Sequence, residues 1–345
     1  MHLSRYSFAA LAVLTACGRS DDGAPPPARL SGEVVAAGDY LDQPGQLAVV
    51  GDRLVVLDRS APMVHVFGLP EGRHLGSFGQ KGDGPGEYQS ARHVQADAGT
   101  PGDAWIYDLG LLRMTRLRFG GAALPELREV VNLHNGGGVY LHPAWLTDST
   151  LVVSAIAPRH SDGRVLLTDR TGEVLRLIGP APRHPGAASI PTTVLQHAYE
   201  GPVTVRPDRA RFAIATRLGD RLEVYGADGA QLAQVNGSTG FLPTFSVNER
   251  SQGVSMALGD DARAGYVALA STDDRIYALF SGAVGMRGGD TFAGREVHVF
   301  DWSGKVLSRL QLPEPAWGIA VDSGGRSMFT LRHDPEPAVV RYALP

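Results

Sequence analysis

One pattern of short apolar strands recurs six times between residues 46 and 342. It begins with a strand, a tight polar turn and a second strand: Gln46–Val50, then Gly51 and Asp52, then Arg53–Asp58. The pattern returns at Arg92–Asp97 with Ala104–Asp108, within Trp145–Ser154, and at Val203–Arg206 with Phe212–Thr216. Its last two copies are Tyr266–Leu269 with Ile276–Phe280 and Gly318–Asp322 with Met328–Leu331. A third apolar strand follows each hairpin: Val64–Phe67, Thr115–Phe119, Val165–Thr168, Leu222–Tyr225, Val297–Phe300 and Val339–Tyr342. Repeats of roughly 50 residues built only of short strands point to radial stacking of sheets, an all-β six-bladed β-propeller. The 43 glycines and 23 prolines serve turns rather than disorder, because apolar strands separate them throughout, and no helix of useful length is visible. A single domain above 300 residues is reasonable, since each blade packs only on its neighbours.

The ends of the chain fit a closed ring. The last third strand stops at Tyr342, so the sixth repeat has no outer strand of its own. An open blade edge would present unpaired backbone groups and invite aggregation. Residues 30 to 37 (LSGEVVAA) precede the first repeat and have no partner within it, so they are expected to supply the outer strand of blade six. The propeller domain then runs over residues 30–345, at about 53 residues per blade.

What precedes residue 30 has a different character. Met1 to Arg5 is a short basic start, and residues 8 to 14 form a brief apolar core. A helix that spans a bilayer needs about 20 apolar residues, so residues 1–16 read as a secretion signal instead. The tetrapeptide Leu14-Thr15-Ala16-Cys17 resembles the bacterial lipobox, in which an apolar residue and two small ones precede the cysteine that receives lipid. That resemblance implies lipid attachment at Cys17, the only cysteine, and membrane anchoring through it. Residues 17–29 are polar and proline-rich and suit a tether. Gly18 stands where lipoproteins retained in the inner membrane often carry Asp, which implies an outer-membrane address facing the periplasm.

Charge removes one class of partner. The formal net charge is −4 and no basic block exists, so the electrostatic footprint of a nucleic-acid binder is missing. A monomer is expected. There is no G-x-S-x-G, no H-E-x-x-H, and no cysteine free for catalysis once Cys17 is lipidated.

Residues 79–88 (GQKGDGPGEY) form the sharpest local motif. They resemble the G-x-x-G-x-G-P-G-E-[FY] signature of bacterial six-bladed propeller lipoproteins, of the NHL-repeat and TolB-like type. Gly79, Gly82, Gly84, Pro85, Gly86, Glu87 and Tyr88 carry the match. Members usually continue with Pro and an apolar residue where this chain has Ala91, Arg92 and His93. The resemblance implies fold and envelope location more than activity. The glycines permit backbone angles closed to other residues, and Pro85 stiffens the turn. No helix follows, so a phosphate loop is a poor reading.

Loop length is the best functional clue. Tight turns at Gly51-Asp52, 170–172, 227–229 and 302–304 share one face, while the connections 79–91, 133–142, 179–201, 236–264 and 281–294 run long on the other. Long loops on a rigid scaffold are where recognition sits. Candidates for that face are Asp58, Glu87, Tyr88, Arg92, His93, Asp108, His142, His197, Arg217 and His333. Trp145, Trp302 and Trp317 are expected in blade packing. Two functions fit. The first is a lipid-anchored binding or scaffold module for an envelope protein, peptide or glycan, without catalytic residues or cofactor. The alternative is a metal-dependent propeller hydrolase or lyase of the lactonase kind, in which Ca or Zn at the channel mouth is held by histidines and carboxylates.

Overall fold

The computed structural model describes residues 26–38, 40–120, 124–160, 162–237, 239–250, 253–285 and 291–345. Residues 1–25, with the expected signal segment, Cys17 and most of the expected tether, lie outside the described residues.

Six antiparallel sheets are arranged as the blades of a propeller. Blade one is Pro44–Val50, Arg53–Asp58, Val64–Gly68 and Arg73–Phe78, from the centre outward. Blade two is Ala91–Ala96, Asp103–Asp108, Arg113–Arg118 and Glu126–Asn132, and blade three is Val139–Trp145, Thr150–Ile156, Gly163–Asp169 and Val174–Pro180. Blade four is Val203–Val205, Arg211–Ala215, Arg221–Gly226 and Gln231–Asn236. Blade five is Tyr266–Ser271, Arg275–Phe280, Gly294–Asp301 and Val306–Ala316. Blade six takes Ile319–Val321, Ser327–Arg332 and Ala338–Ala343 from the end of the chain, and Gly32–Ala37 from its start.

The second strands explain why the repeats read as continuous apolar runs. Successive side chains of a strand point to opposite faces, and here both faces are covered by other blades. Leu54 and Val56 pack with Phe329, Leu331 and Val339 of blade six. Val55 and Leu57 pack with Val94 and Ile106 of blade two. Phe212 and Ile214 likewise turn to blade three while Ala213 and Ala215 turn to blade five. The outer strands are the more exposed, and their burial alternates, as in Gln231–Asn236.

The ring closes through Gly32–Ala37, antiparallel to Ala338–Ala343 with Val34 opposite Val340 and a register shift before Ala36. Arg341 and Glu33, 308 residues apart in sequence, are bound at 2.6 Å. The strand Ala28–Arg29 already lies parallel against Leu310 and Gln311 of blade five. The Leu30 N–H donates to the Gln311 carbonyl at 3.0 Å on the same edge.

Two of the long connections hold regular structure of their own outside the six blades. The connection from blade three to blade four holds an α-helix, Thr192–Tyr199, with Pro191 just before it and Val194, Ala198 and Tyr199 buried. The connection from blade four to blade five carries a separate two-stranded ribbon, Ser246–Arg250 with Gly253–Ala257. Both lie on the long-loop face.

Candidate functional site

Five of the ten expected face residues are structural parts of the wall. Asp58 is buried at the end of its strand, and its carboxylate accepts the backbone N–H groups of Asp42, Gln43 and Ser60. Asp108 repeats this in blade two, accepting from Gln89, Ser90 and Leu111. These carboxylates organise the loops entering their blades and have no oxygen to spare for a ligand. Glu87 accepts the Gly84 N–H at 2.9 Å and so holds its own turn shut. Tyr88 is fully buried among Met63, Val64, Val94 and Ile106, in the seam between blades one and two. Gly79 is required beside it: its φ is +82°, and a Cβ would stand 2.9 Å from the Tyr88 ring. His333 spends its ring differently from expectation too. Its Nε2 bonds the Pro44 carbonyl at 2.7 Å and its ring stacks on Trp317 at 4.5 Å, tying blade six to blade one.

The other five come together around the long-loop end of the channel. Arg92 and His93 open the innermost strand of blade two, His142 sits in that of blade three, His197 ends the helix, and Arg217 follows the second strand of blade four. Their centre is Glu200, which the sequence reading misses. Glu200 caps the helix and is 5% exposed. Its Oε2 lies 3.0 Å from His142 Nε2, and its Oε1 accepts from Arg217 Nη1 at 3.4 Å. Burial pushes the carboxyl pKa up, but the hydrogen bond and charge of His142, with the charges of Arg217 and His197, outweigh it and hold the group at about 2. Arg217 also lies over the Phe292 ring, 4.1 Å from its centroid.

Three guanidinium groups influence one another at this mouth. Burial and the charges of Arg59 and Arg217 hold Arg92 below its ordinary pKa, with Asp108 acting the other way. Arg92 donates from Nε to Ser90 Oγ at 2.9 Å and forms no ion pair with a described residue. Guanidinium groups stay charged regardless, so Arg59, Arg92 and Arg217 repel one another while Glu200 is taken by His142 and Arg217. His93 is half-buried by surface yet enclosed by the channel. Burial, then the neighbouring His142, lowers its pKa to about 4, and its ring forms no hydrogen bond with described residues.

Among the described residues no three His, Cys, Asp or Glu side chains converge as metal ligands. The Ca or Zn of the hydrolase alternative therefore has no ligand set in them, and no step is derived through a metal.

A cavity of about 450 Å³ is lined by the distal halves of the innermost strands, from His93 down to Gly51, Pro101, Pro207 and Ser323. It opens toward the tight-turn face, opposite the face on which loop length places recognition. Small side chains, among them Ala48, Ala96, Ala270 and Ala320, keep the centre open. At its rim Arg209, itself at φ +61°, reaches from blade four to Asp97 of blade two at 2.8 Å and to Asp148 of blade three.

The sequence held a signal for Glu200: Pro191 followed by apolar residues at 194, 195, 198 and 199 has helical spacing and ends beside it. Arg59 and Phe292 carry no comparable signal, since only the ring brings them to the mouth.

Comparison with curated proteins gives no match. Among solved structures the chain is similar to Raptor from Chaetomium thermophilum, with a TM-score of 0.51 and 10% identity. The alignment covers 92% of this chain and 29% of that one, and it shows the fold alone. Residues 30–324 match the family described as TolB-like 6-blade propeller-like, and over that span, most of its length, the chain belongs to the TolB-like six-bladed propellers.

Proposed function

We propose that this protein is a lipid-anchored binding module of the cell envelope whose long-loop mouth captures an anionic group of its ligand. The observation that carries the reading is the approach of Arg59 and Arg217 to Arg92, where the described carboxylates Glu200 and Asp108 are already engaged, Glu200 by His142 and Arg217 and Asp108 by backbone N–H groups. Arginine forks fit carboxylate and phosphate geometry, and an incoming anion relieves the repulsion between them. An envelope protein, a peptide or an acidic glycan can carry such a group. Family membership supports an envelope location, and the Leu14-Thr15-Ala16-Cys17 order with Gly18 supports a lipid on Cys17 and an outer-membrane address facing the periplasm.

The test is capture of envelope components by the mature protein against Arg92→Ala/Arg217→Ala, with Asp228→Ala in a tight turn as the control. Capture is expected to fall at least tenfold in the double variant only, and to weaken as salt screens the charges. Undiminished capture by a folded double variant overturns the reading. Mass spectrometry of the same membrane-extracted protein is expected to show an acylated Cys17 at the mature N-terminus.

A further inference from the structure

We infer that the channel is a site for a single-chain amphiphile, with a carboxylate at the arginine mouth and an acyl tail in the cavity beneath it. This inference rests on the anion-binding reading of the mouth and adds the other half of the ligand.

Three observations meet. The first is size: about 450 Å³ lies within the 300–1,000 Å³ typical of small-molecule pockets. The second is the chemistry of the wall. Val49, Val94, Val203, Val205, Leu269 and Ile319 line it. Several of its polar side chains are spent on the wall itself. Thr204 Oγ1 and Ser271 Oγ bond each other at 2.8 Å, and Gln95 bonds both the N–H and the carbonyl of Trp145. Each innermost strand pairs on one side only, so its free backbone edge keeps water along the channel. The side chains between those edges offer a ligand apolar contact. The third observation is the asymmetry of the ends. At the long-loop end Arg92 has no ion pair with a described residue, whereas at the tight-turn end Arg209 is bound by Asp97 and Asp148 and Arg206 lies 3.5 Å from Asp208. An anion is therefore favoured at one end and the tail toward the other.

His93 joins the compartments. It lines the cavity, and it neighbours His142, which is bound to Glu200. Its uncharged ring, free of hydrogen bonds to described residues, suits a place where the head gives way to the chain.

The experiment is calorimetric titration of the mature protein at low salt with monomeric butyrate, octanoate and dodecanoate. Affinity is expected to rise roughly fourfold for each added methylene until the cavity is full. Ala96→Phe fills the cavity at an exposed position of the innermost strand of blade two, and Ala270→Phe does so from blade five. Both variants are expected to bind butyrate as the wild type does and to lose the dependence on chain length. Arg92→Ala/Arg217→Ala is expected to weaken the whole series by one factor. Equal affinity across the series in the wild type overturns the tail site and leaves the anion-binding mouth standing. A chain-length dependence that survives both filled variants overturns its placement in the cavity. Failure of every carboxylate to bind overturns the mouth as well.

Discussion

His93 and Glu200 make stability depend on pH in two successive windows. In the unfolded chain His93 titrates near 6.5, whereas the folded protein holds it at about 4, through burial and the nearby His142. Between those values the unfolded state takes up a proton that the folded state refuses, so stability falls as pH drops from 6.5 toward 4. Glu200 then takes over. Its folded pKa of about 2 lies below the unfolded value of 4.5, so its contribution is complete above 4.5 and disappears as pH falls through about 2. Urea midpoints measured across this range are expected to fall throughout, with His93→Phe flattening the upper window and Glu200→Gln the lower. A wild-type midpoint constant between pH 6.5 and 4 would contradict the enclosure of His93. Arg209 shows a different use of charge at the same scale. A non-glycine residue held at φ +61° is uncommon, and here its side chain ties three blades together across the cavity rim.

At the scale of the element, the loop 79–88 is a self-contained plug. Glu87 holds the turn, the Tyr88 N–H donates to the Gln80 carbonyl at 3.0 Å, and Arg113 clamps it from blade two through the Asp83 carbonyl at 2.8 Å. Tyr88→Ala is expected to cost about 3–5 kcal/mol through the cavity it leaves in the seam, readable in chemical denaturation. Glu87→Ala is expected to cost only about 1–2 kcal/mol, the scale of one charge-assisted hydrogen bond. A Tyr88→Ala protein as stable as the wild type would show that the ring is not part of the core. Such elements also show what the sequence could reveal. The inner, second and third strands were legible because burial on both faces leaves an apolar run between polar turns, as in Arg53–Asp58. Outer strands, half exposed, were not read one by one. The helix Thr192–Tyr199 is only eight residues long, so its helical spacing at 194, 195, 198 and 199 spans barely one repeat of the pattern and stands out little among the strands. Among candidate site residues, Arg92, His142 and Arg217 could be placed from their position along a strand. The capping roles of Asp58 and Asp108 could not be separated from ligand contact, since both roles favour a carboxylate at a strand end. Glu200 binds His142 and Arg217 across distances in sequence that no local pattern records.

For the molecule as a whole, closure of the ring is the long-range event on which everything else depends. The mouth needs blades one, two, three and four in register, and the cavity is lined by all six innermost strands. Six blades hold that register only if the last is complete, and its outer strand comes from the other end of the chain. Without Gly32–Ala37 the edge of Ala338–Ala343 is left unpaired, the Glu33–Arg341 ion pair is lost, and Ala36 leaves the cluster shared with Phe67, Phe329 and Val339. Removing residues up to 37 is therefore expected to cost several kcal/mol, a large share of the roughly 5–15 kcal/mol that holds a domain together. It should also promote association through the open edge. Removing only residues 1–25 is expected to leave the denaturation midpoint unchanged, since pairing with the outer edges of blades five and six begins at Ala28. A synthetic peptide of residues 28–37, added to the shorter protein, should restore both its midpoint and its monomeric state by refilling the edge. If the two truncated proteins unfold at the same urea concentration, the N-terminal strand does not hold the ring.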